Sequence, residues 1–319
     1  MDVHDWHPLK RRCKMTCEEA ICPMQPLVEC VPNFSEGRRA EVLEAIAAAL
    51  RAHPPVRLLD VESDADHNRS VFTLVAPPEA MVPAIFDAIK IAASLINLDH
   101  HTGEHPRIGA TDVVPFVPLR GTEMDQCVAL AKELGRRVGE ELGIPVYLYE
   151  RAAARPDRVN LADIRRGEYE GLKAEIQTDP DRKPDFGPAR IGPAGATVIG
   201  ARPPLIAYNV FLTTGDVEIA RRIAKSIRNS NGGLRYVKAL GLLVKGRAQV
   251  SMNLTDFRKT PIHQVVELIR REAARYGVAI ESSELIGMIP QEALLDAVVW
   301  YLQMDNFDPG MVLESRLIE

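Results

Sequence analysis

Aromatic residues are scarce in this chain, 5% of its 319 residues. That is too few for the stacking platforms on which single-stranded nucleic acids lie. Basic charge is not in excess either: 39 Lys and Arg against 44 Asp and Glu leave a net charge of −5, which argues against a general nucleic-acid binder with a dominant basic face. No apolar run approaches the roughly 20 residues of a bilayer-spanning helix, so no membrane role is expected. Cysteine is sparse and irregular. The count is five, an odd number without regular spacing, which speaks against a disulfide framework and for a cytoplasmic protein. Three of the five, Cys13, Cys17 and Cys22, crowd near the start, but a fourth ligand at zinc-site spacing is missing. No secretory apolar segment accompanies them.

What is present is an ordinary globular composition, 46% hydrophobic and 26% charged, long enough for one large domain or two moderate ones. Residues 1–23 show no sustained periodicity and are expected to form a poorly ordered extension. Convincing pattern begins at Leu27, with Met24 a candidate natural start. Leu27 to Val31 reads as a buried strand, Ser35 as the N-cap of a helix over Glu36 to Leu50, and Val56 to Glu62 as a second strand. Ser70 to Ala76 is a third strand, Pro78 to Asn97 a helix entered through proline, and Val113 to Val117 a fourth strand. A helix over Glu123 to Leu142 and a strand over Pro145 to Tyr149 extend this half.

The order returns after Ala201. Leu205 to Thr213, Arg235 to Val244, Ala248 to Leu254 and part of Val278 to Ile289 read as strands. Asp216 to Arg228, Pro261 to Tyr276 and Pro290 to Met304 read as helices. The expected fold is therefore α+β, two tandem ferredoxin-like (βαββαβ) subdomains, residues 24–201 and 202–319, with a ligand cleft between them. Between the halves lies a stretch rich in proline and glycine, Pro180 to Gly195. It reads either as an interdomain linker or as a cleft-lining loop whose small residues let a flat molecule approach the backbone.

The chemistry-bearing string is Gly103-Glu104-His105-Pro106-Arg107-Ile108-Gly109-Ala110. Proline keeps the residue before it out of the α region, so His105 sits on a shaped loop. An imidazole there can take and return a proton near neutral pH. His100 and His101 precede it, but a His-x-x-x-His metal pair needs a helix, which Pro106 and Gly103 oppose. A second cluster, Asp60 to Arg69, brings Glu62, Asn68 and Arg69 to a strand end and its turn. A third, Val31 to Gly37, runs a strand end carrying Asn33 into a helix start. In the second half Gln249, Ser251 and Asn253 alternate with apolar residues, and Asn209 interrupts an apolar strand. Neutral amides on one face suit a heterocycle with donor and acceptor edges.

Several strings together resemble the formiminotransferase family: LVECVPNFSEG from Leu27, LLDVESDADHNRSV from Leu58, GEHPRIGATDVVPF from Gly103, GIPVYLYE from Gly143, DFGPARIGPAGATVIGAR from Asp185 and AQVSMNLTDF from Ala248. They occur in the family's order from Leu27 to the C-terminal region. The resemblance implies transfer of a formimino group between N-formimino-L-glutamate and tetrahydrofolate in histidine degradation, with tetrahydrofolate as co-substrate, no metal, and a homodimer. By it the catalytic histidine falls on His105. The folate-binding segment falls on Gly187, Pro188, Ala189, Arg190, Ile191, Gly192, Pro193, Ala194 and Gly195, one residue shorter than in the vertebrate bifunctional enzymes. The turn Ser63 to His67 also departs from the vertebrate sequence, and the cyclodeaminase domain of those enzymes has no counterpart here.

Attack of an amine on an amidinium discharges a positive centre, so carboxylates are expected near it instead of an oxyanion hole. Glu62 is the first choice, with Asp112 and Glu104 behind it. Arg69 or Arg107 could hold the glutamate carboxylates by forked hydrogen bonds, and Arg235 and Lys238 could meet the acidic folate tail. Two other classes remain open at this stage. One is a metal-dependent amidinohydrolase suggested by Asp64-Ala65-Asp66-His67; the other is a folate-binding module without turnover.

Overall fold

The computed structural model describes residues 25–316. The cysteines Cys13, Cys17 and Cys22 and the expected N-terminal extension lie outside that range. In chain order the elements are β1 (Val28–Cys30), β2 (Asn33–Phe34), α1 (Ala40–Arg51), β3 (Arg57–Asp64), β4 (Arg69–Ala76), α2 (Pro78–Leu95) and β5 (Thr111–Pro118). Then come α3 (Met124–Glu141), β6 (Val146–Glu150), α4 (Leu161–Ile164), α5 (Glu168–Glu175) and β7 (Thr197–Ala201). The remainder is β8 (Ile206–Leu212), α6 (Val217–Ile227), β9 (Val237–Val244), β10 (Arg247–Leu254), α7 (Ile262–Ala274), β11 (Ile280–Ile286) and α8 (Gln291–Leu302).

β1 and β2 behave as one strand broken at Pro32, since both pair antiparallel with β4 on one side and β5 on the other. Proline has no N–H to give a ladder, so the break falls there. The first sheet runs β3, β4, β1/β2, β5, β7, β6; β5 and β6 both lie parallel to β7. Helices α1, α2 and α3 pack on one face through Val42, Ile46, Met81, Ile85, Leu134 and Val138 against Phe34, Phe72 and Phe116. The β5–β7 end of the opposite face is covered by Ile164, Leu172 and Ile176. The second sheet runs β11, β8, β10, β9, all antiparallel. It buries a separate core beneath α6 and α7, with Val210, Leu212, Val250 and Leu254 facing Ile223, Ile227, Val265 and Ile269.

Two expectations need correction. Ser35 does not cap α1, because the helix starts later, at Ala40, after Arg39. Its hydroxyl instead donates to the Gly109 carbonyl at 2.7 Å, and the neighbouring Glu36 carboxylate accepts from the amides of Arg38 and Arg39. Residues 180–195 are no interdomain linker, because the chain returns from them into the first sheet as β7. The passage between halves is the short stretch Arg202 to Leu205. β7 itself is buried along its whole length; a strand covered on both faces has no polar and apolar alternation to betray it.

Candidate functional site

The His105 loop is held from two sides. Gly109 bridges to Gly195 antiparallel, the Ala110 amide donates to Ala194 at 2.8 Å, and Ala196 donates to Ile108 at 2.8 Å. The histidine string and the Gly187–Gly195 ribbon, far apart in sequence, are thereby neighbours. On the other side the Glu104 amide donates to the Asp66 carbonyl at 3.3 Å, and Gly103 packs on the His67 carbonyl so closely that a side chain would collide. This brings in the β3–β4 turn. The glycines of the ribbon serve the protein's own packing at both ends. A Cβ on Gly187, at φ +81°, would stand 2.6 Å from the Ile144 carbonyl, and one on Gly195 would strike that of Ile108. Between them Ala189, Arg190, Gly192 and Pro193 are exposed, and Ile191 packs into the core.

The His105 ring hydrogen-bonds through Nδ1 to the Pro106 carbonyl at 2.7 Å. A carbonyl only accepts, so Nδ1 carries the proton and Nε2 is left with a lone pair. Burial, then the charges of Arg69 and Arg165, push this imidazole down to about 3, opposed by Asp112 and the Pro106 carbonyl. The ring is therefore neutral at physiological pH. His101 is differently employed: its Nε2 lies 3.0 Å from the Asn68 carbonyl, and its Nδ1 accepts from Arg107 at 3.3 Å. Both its nitrogens are engaged, which leaves no lone pair for a metal shared with His105.

The other first-half candidates divide into spent and open groups. Arg107 gives its guanidinium to Glu168 at 2.8 Å and Glu170 at 2.7 Å, so the expected fork toward a substrate carboxylate is already filled. Asn68, buried at φ +48°, accepts from Gly37 and donates to Thr102, both at 3.0 Å, tying three segments together. Asn33 donates to Val31 and accepts from Arg69, which it orients. Asp112 accepts from the Ile108 amide at 3.0 Å and from Arg165. Glu104 is exposed. Glu62 remains: it is half-buried, and its Oε1 accepts from the Gly287 amide of the second half at 3.0 Å.

That bond shows how the halves meet. Gly287 follows Ile286, and Ile286, Ala207, Asn253 and Lys238 form one cross-strand row of the second sheet. At the far end of the row Lys238 donates to Asn160 of the first half at 3.2 Å. With both ends of the row touching the first half, the exposed Asn253 between them lies opposite it. Asn209 stands in the next row, beside Ser251, and donates to Glu284 at 3.3 Å. Gln249 is one row further and buried, against Phe211 and Leu242. Successive rows on one face are about 7 Å apart, so the neutral amides form a line leading away from Glu62 instead of one cluster. Arg235 is exposed, with its guanidinium 5.5 Å from the Tyr236 ring.

The sequence of the first half matches the formiminotransferase domain, N-terminal subdomain, over residues 27–202, and that of the second matches the formiminotransferase domain over residues 207–318. The chain belongs to the formiminotransferase family. It is 54% identical over 295 residues to a glutamate formimidoyltransferase of Thermoplasma acidophilum, covering 91% of this chain and 97% of that protein. A glutamate formimidoyltransferase of Streptococcus pyogenes is 46% identical over 299 residues, covering 92% of this chain and 100% of that protein. The formimidoyltransferase-cyclodeaminase of Rattus norvegicus is 46% identical over 302 residues, covering 92% of this chain but 55% of that longer protein. Formiminotransferase membership gives the paired strings a common purpose, but no sequence signal singled out Arg165. It follows the short helix α4 in an unremarkable charged stretch, and only the fold sets it on Asp112.

Among the described residues no helix is long and apolar enough to cross a membrane, and no group of three or more His, Cys, Asp or Glu is placed to hold a metal ion.

Proposed function

We propose that this protein is a glutamate formimidoyltransferase, moving the formimino group between N-formimino-L-glutamate and tetrahydrofolate to give 5-formiminotetrahydrofolate and L-glutamate in histidine degradation. The observation that carries the reading is the His105 ring, with Nδ1 fixed on the Pro106 carbonyl, Nε2 carrying a lone pair, and the glycine–proline ribbon beside its loop. Relatives named for this activity match along nearly their whole length. The tandem fold supports it too. In each half the first strand lies between the third and the fourth, and the second lies at the edge. All four strands of each set are antiparallel. We read this as the order of a ferredoxin-like unit. We read the halves as residues 24–201 and 202–319, with the substrate cleft between them, in a cytoplasmic homodimer.

The chemistry follows from the groups present. His105 Nε2 removes a proton from the attacking amine and returns it to the departing glutamate nitrogen. Glu62 sits at the mouth between the halves, where its carboxylate balances the amidinium until attack discharges it. Residues Gly187–Gly195 line the pterin side, with Asn253 and Asn209 offering donors and acceptors across the cleft. Lys238 and Arg235 meet the acidic folate tail. Seating two substrates in one cleft supplies much of the acceleration by proximity. The test is consumption of N-formimino-L-glutamate by the purified protein. It should require tetrahydrofolate; loss of substrate at the same rate without folate would overturn the transferase reading.

A further inference from the structure

Of the largely buried arginines, Arg107, Arg158 and Arg182 each spend three or more donors on this chain. Arg158 reaches Asp185 and the carbonyls of Asp181 and Lys183; Arg182 reaches Glu175 and the carbonyls of Ile164 and Arg166. Arg107 is filled by Glu168, Glu170 and His101. Two stand apart. Among the described residues Arg69 makes a single hydrogen bond, from Nη2 to Asn33, and Arg165 a single one, from Nη2 to Asp112. Nε of each is enclosed and without a partner among the described residues. A guanidinium carries five N–H donors, and leaving most of them unmet in a site shielded from water is costly. The Arg165 side chain is only 12% exposed and that of Asp112 4%. Asp112 hydrogen-bonds Arg165 and acts on Arg69 only through its charge, so one carboxylate stands against two cations. The surplus positive charge is that of one acid, and it borders the loop that carries His105, because Asp112 also holds the Ile108 amide.

We propose that Arg69 and Arg165 form the seat of one carboxylate of the acidic amino-acid substrate, with Asp112 positioning Arg165 and Asn33 positioning Arg69. This rests on the proposed transferase reading for the identity of the acid, but the seat itself is a matter of binding. A planar carboxylate supplies the in-plane acceptors that two guanidinium forks lack. Arg165 is thereby a specificity-determining residue: it selects an acid over the corresponding amide. Arg107, Arg158 and Arg182, in contrast, hold loops.

The experiment compares wild type with Arg165→Lys and Arg165→Met. Lysine keeps a cation for Asp112 and loses the fork, so a folded variant is available even if methionine strands the buried carboxylate. L-glutamate binding is measured by calorimetry. KM and kcat are measured for N-formimino-L-glutamate and for its side-chain amide, N-formimino-L-glutamine. The expected result for Arg165→Lys is L-glutamate binding weakened about 10- to 100-fold, KM for the acid raised to match, a reduced preference for acid over amide, and an unchanged KM for tetrahydrofolate. Wild-type glutamate affinity and wild-type discrimination in a folded Arg165→Lys would overturn the proposal. So would a defect confined to the KM for tetrahydrofolate. Should wild type bind L-glutamate through Arg165 yet show no folate-dependent turnover, the seat stands and the transferase reading falls.

Discussion

Lowering the pH should unfold this protein partly through one ring. His105 is held neutral in the folded chain, pushed from 6.5 down to about 3 by burial and by the charges of Arg69 and Arg165. In the unfolded chain it protonates at its ordinary value. The unfolded state therefore binds more protons between those two values, so the contribution is complete above pH 6.5 and is lost as pH falls toward 3. At pH 4.5 the loss relative to pH 7.5 has a ceiling of about 3 kcal/mol, two pH units at about 1.4 kcal/mol each. Solvent at the half-exposed ring lowers it. The groups acting on the imidazole are Arg69 from β4, Arg165 after α4, Asp112 from β5 and the Pro106 carbonyl, with the His67 ring at 6.3 Å. Denaturant unfolding of wild type and His105→Gln at pH 7.5, 5.5 and 4.5 isolates the effect. Wild type should lose about 1–3 kcal/mol more than the variant by pH 4.5. Ring chemical shifts should show no titration of His105 down to pH 5, and saturating L-glutamate should raise its pKa by cancelling arginine charge. Equal pH dependence of the two proteins, with the ring titrating near 6.5, would refute the placement of this ring beside Arg69 and Arg165.

Glu62→Gln should raise KM for N-formimino-L-glutamate roughly 10-fold or more by removing the charge that balances the bound amidinium, with little change in tetrahydrofolate affinity; an unchanged KM removes Glu62 from that role. Gly195→Ala forces a side chain at φ +72° onto the Ile108 carbonyl, and should cost about 2–4 kcal/mol in thermal or denaturant unfolding. Wild-type stability would mean that the bridge to Gly109 does not hold the His105 loop. Arg107→Met should lower stability by about 1–3 kcal/mol through loss of its ties to Glu168 and Glu170, while KM for N-formimino-L-glutamate stays within about twofold; a large KM change would return Arg107 to the substrate.

Much of this fold could be read from the chain because its periodicity is local. Helix α2 announces itself with Pro78 at its first turn, and β10 with the alternation Gln249, Val250, Ser251, Met252. What stayed hidden depends on partners distant in sequence. β7 is buried on both faces and so shows no period. Ser35 looks like a helix cap, but its hydroxyl goes to Gly109, 74 residues away. The site divides the same way. His105 is legible because proline and glycine mark its loop. Choosing between Arg69 and Arg107 was impossible from spacing, since only the fold reveals that Glu168 and Glu170 already occupy Arg107. Asn68 looked like a ligand contact for the same reason that it is a structural tie: a short amide in a left-handed turn satisfies nearby backbone.

In the proposed reaction Nε2 of His105 moves the proton during formimino transfer to tetrahydrofolate. The most direct measurement is single-turnover consumption of N-formimino-L-glutamate with saturating tetrahydrofolate, in wild type and in His105→Ala. The variant should be at least about 100-fold slower, with both substrates still binding. A variant rate within a few-fold of wild type would contradict it.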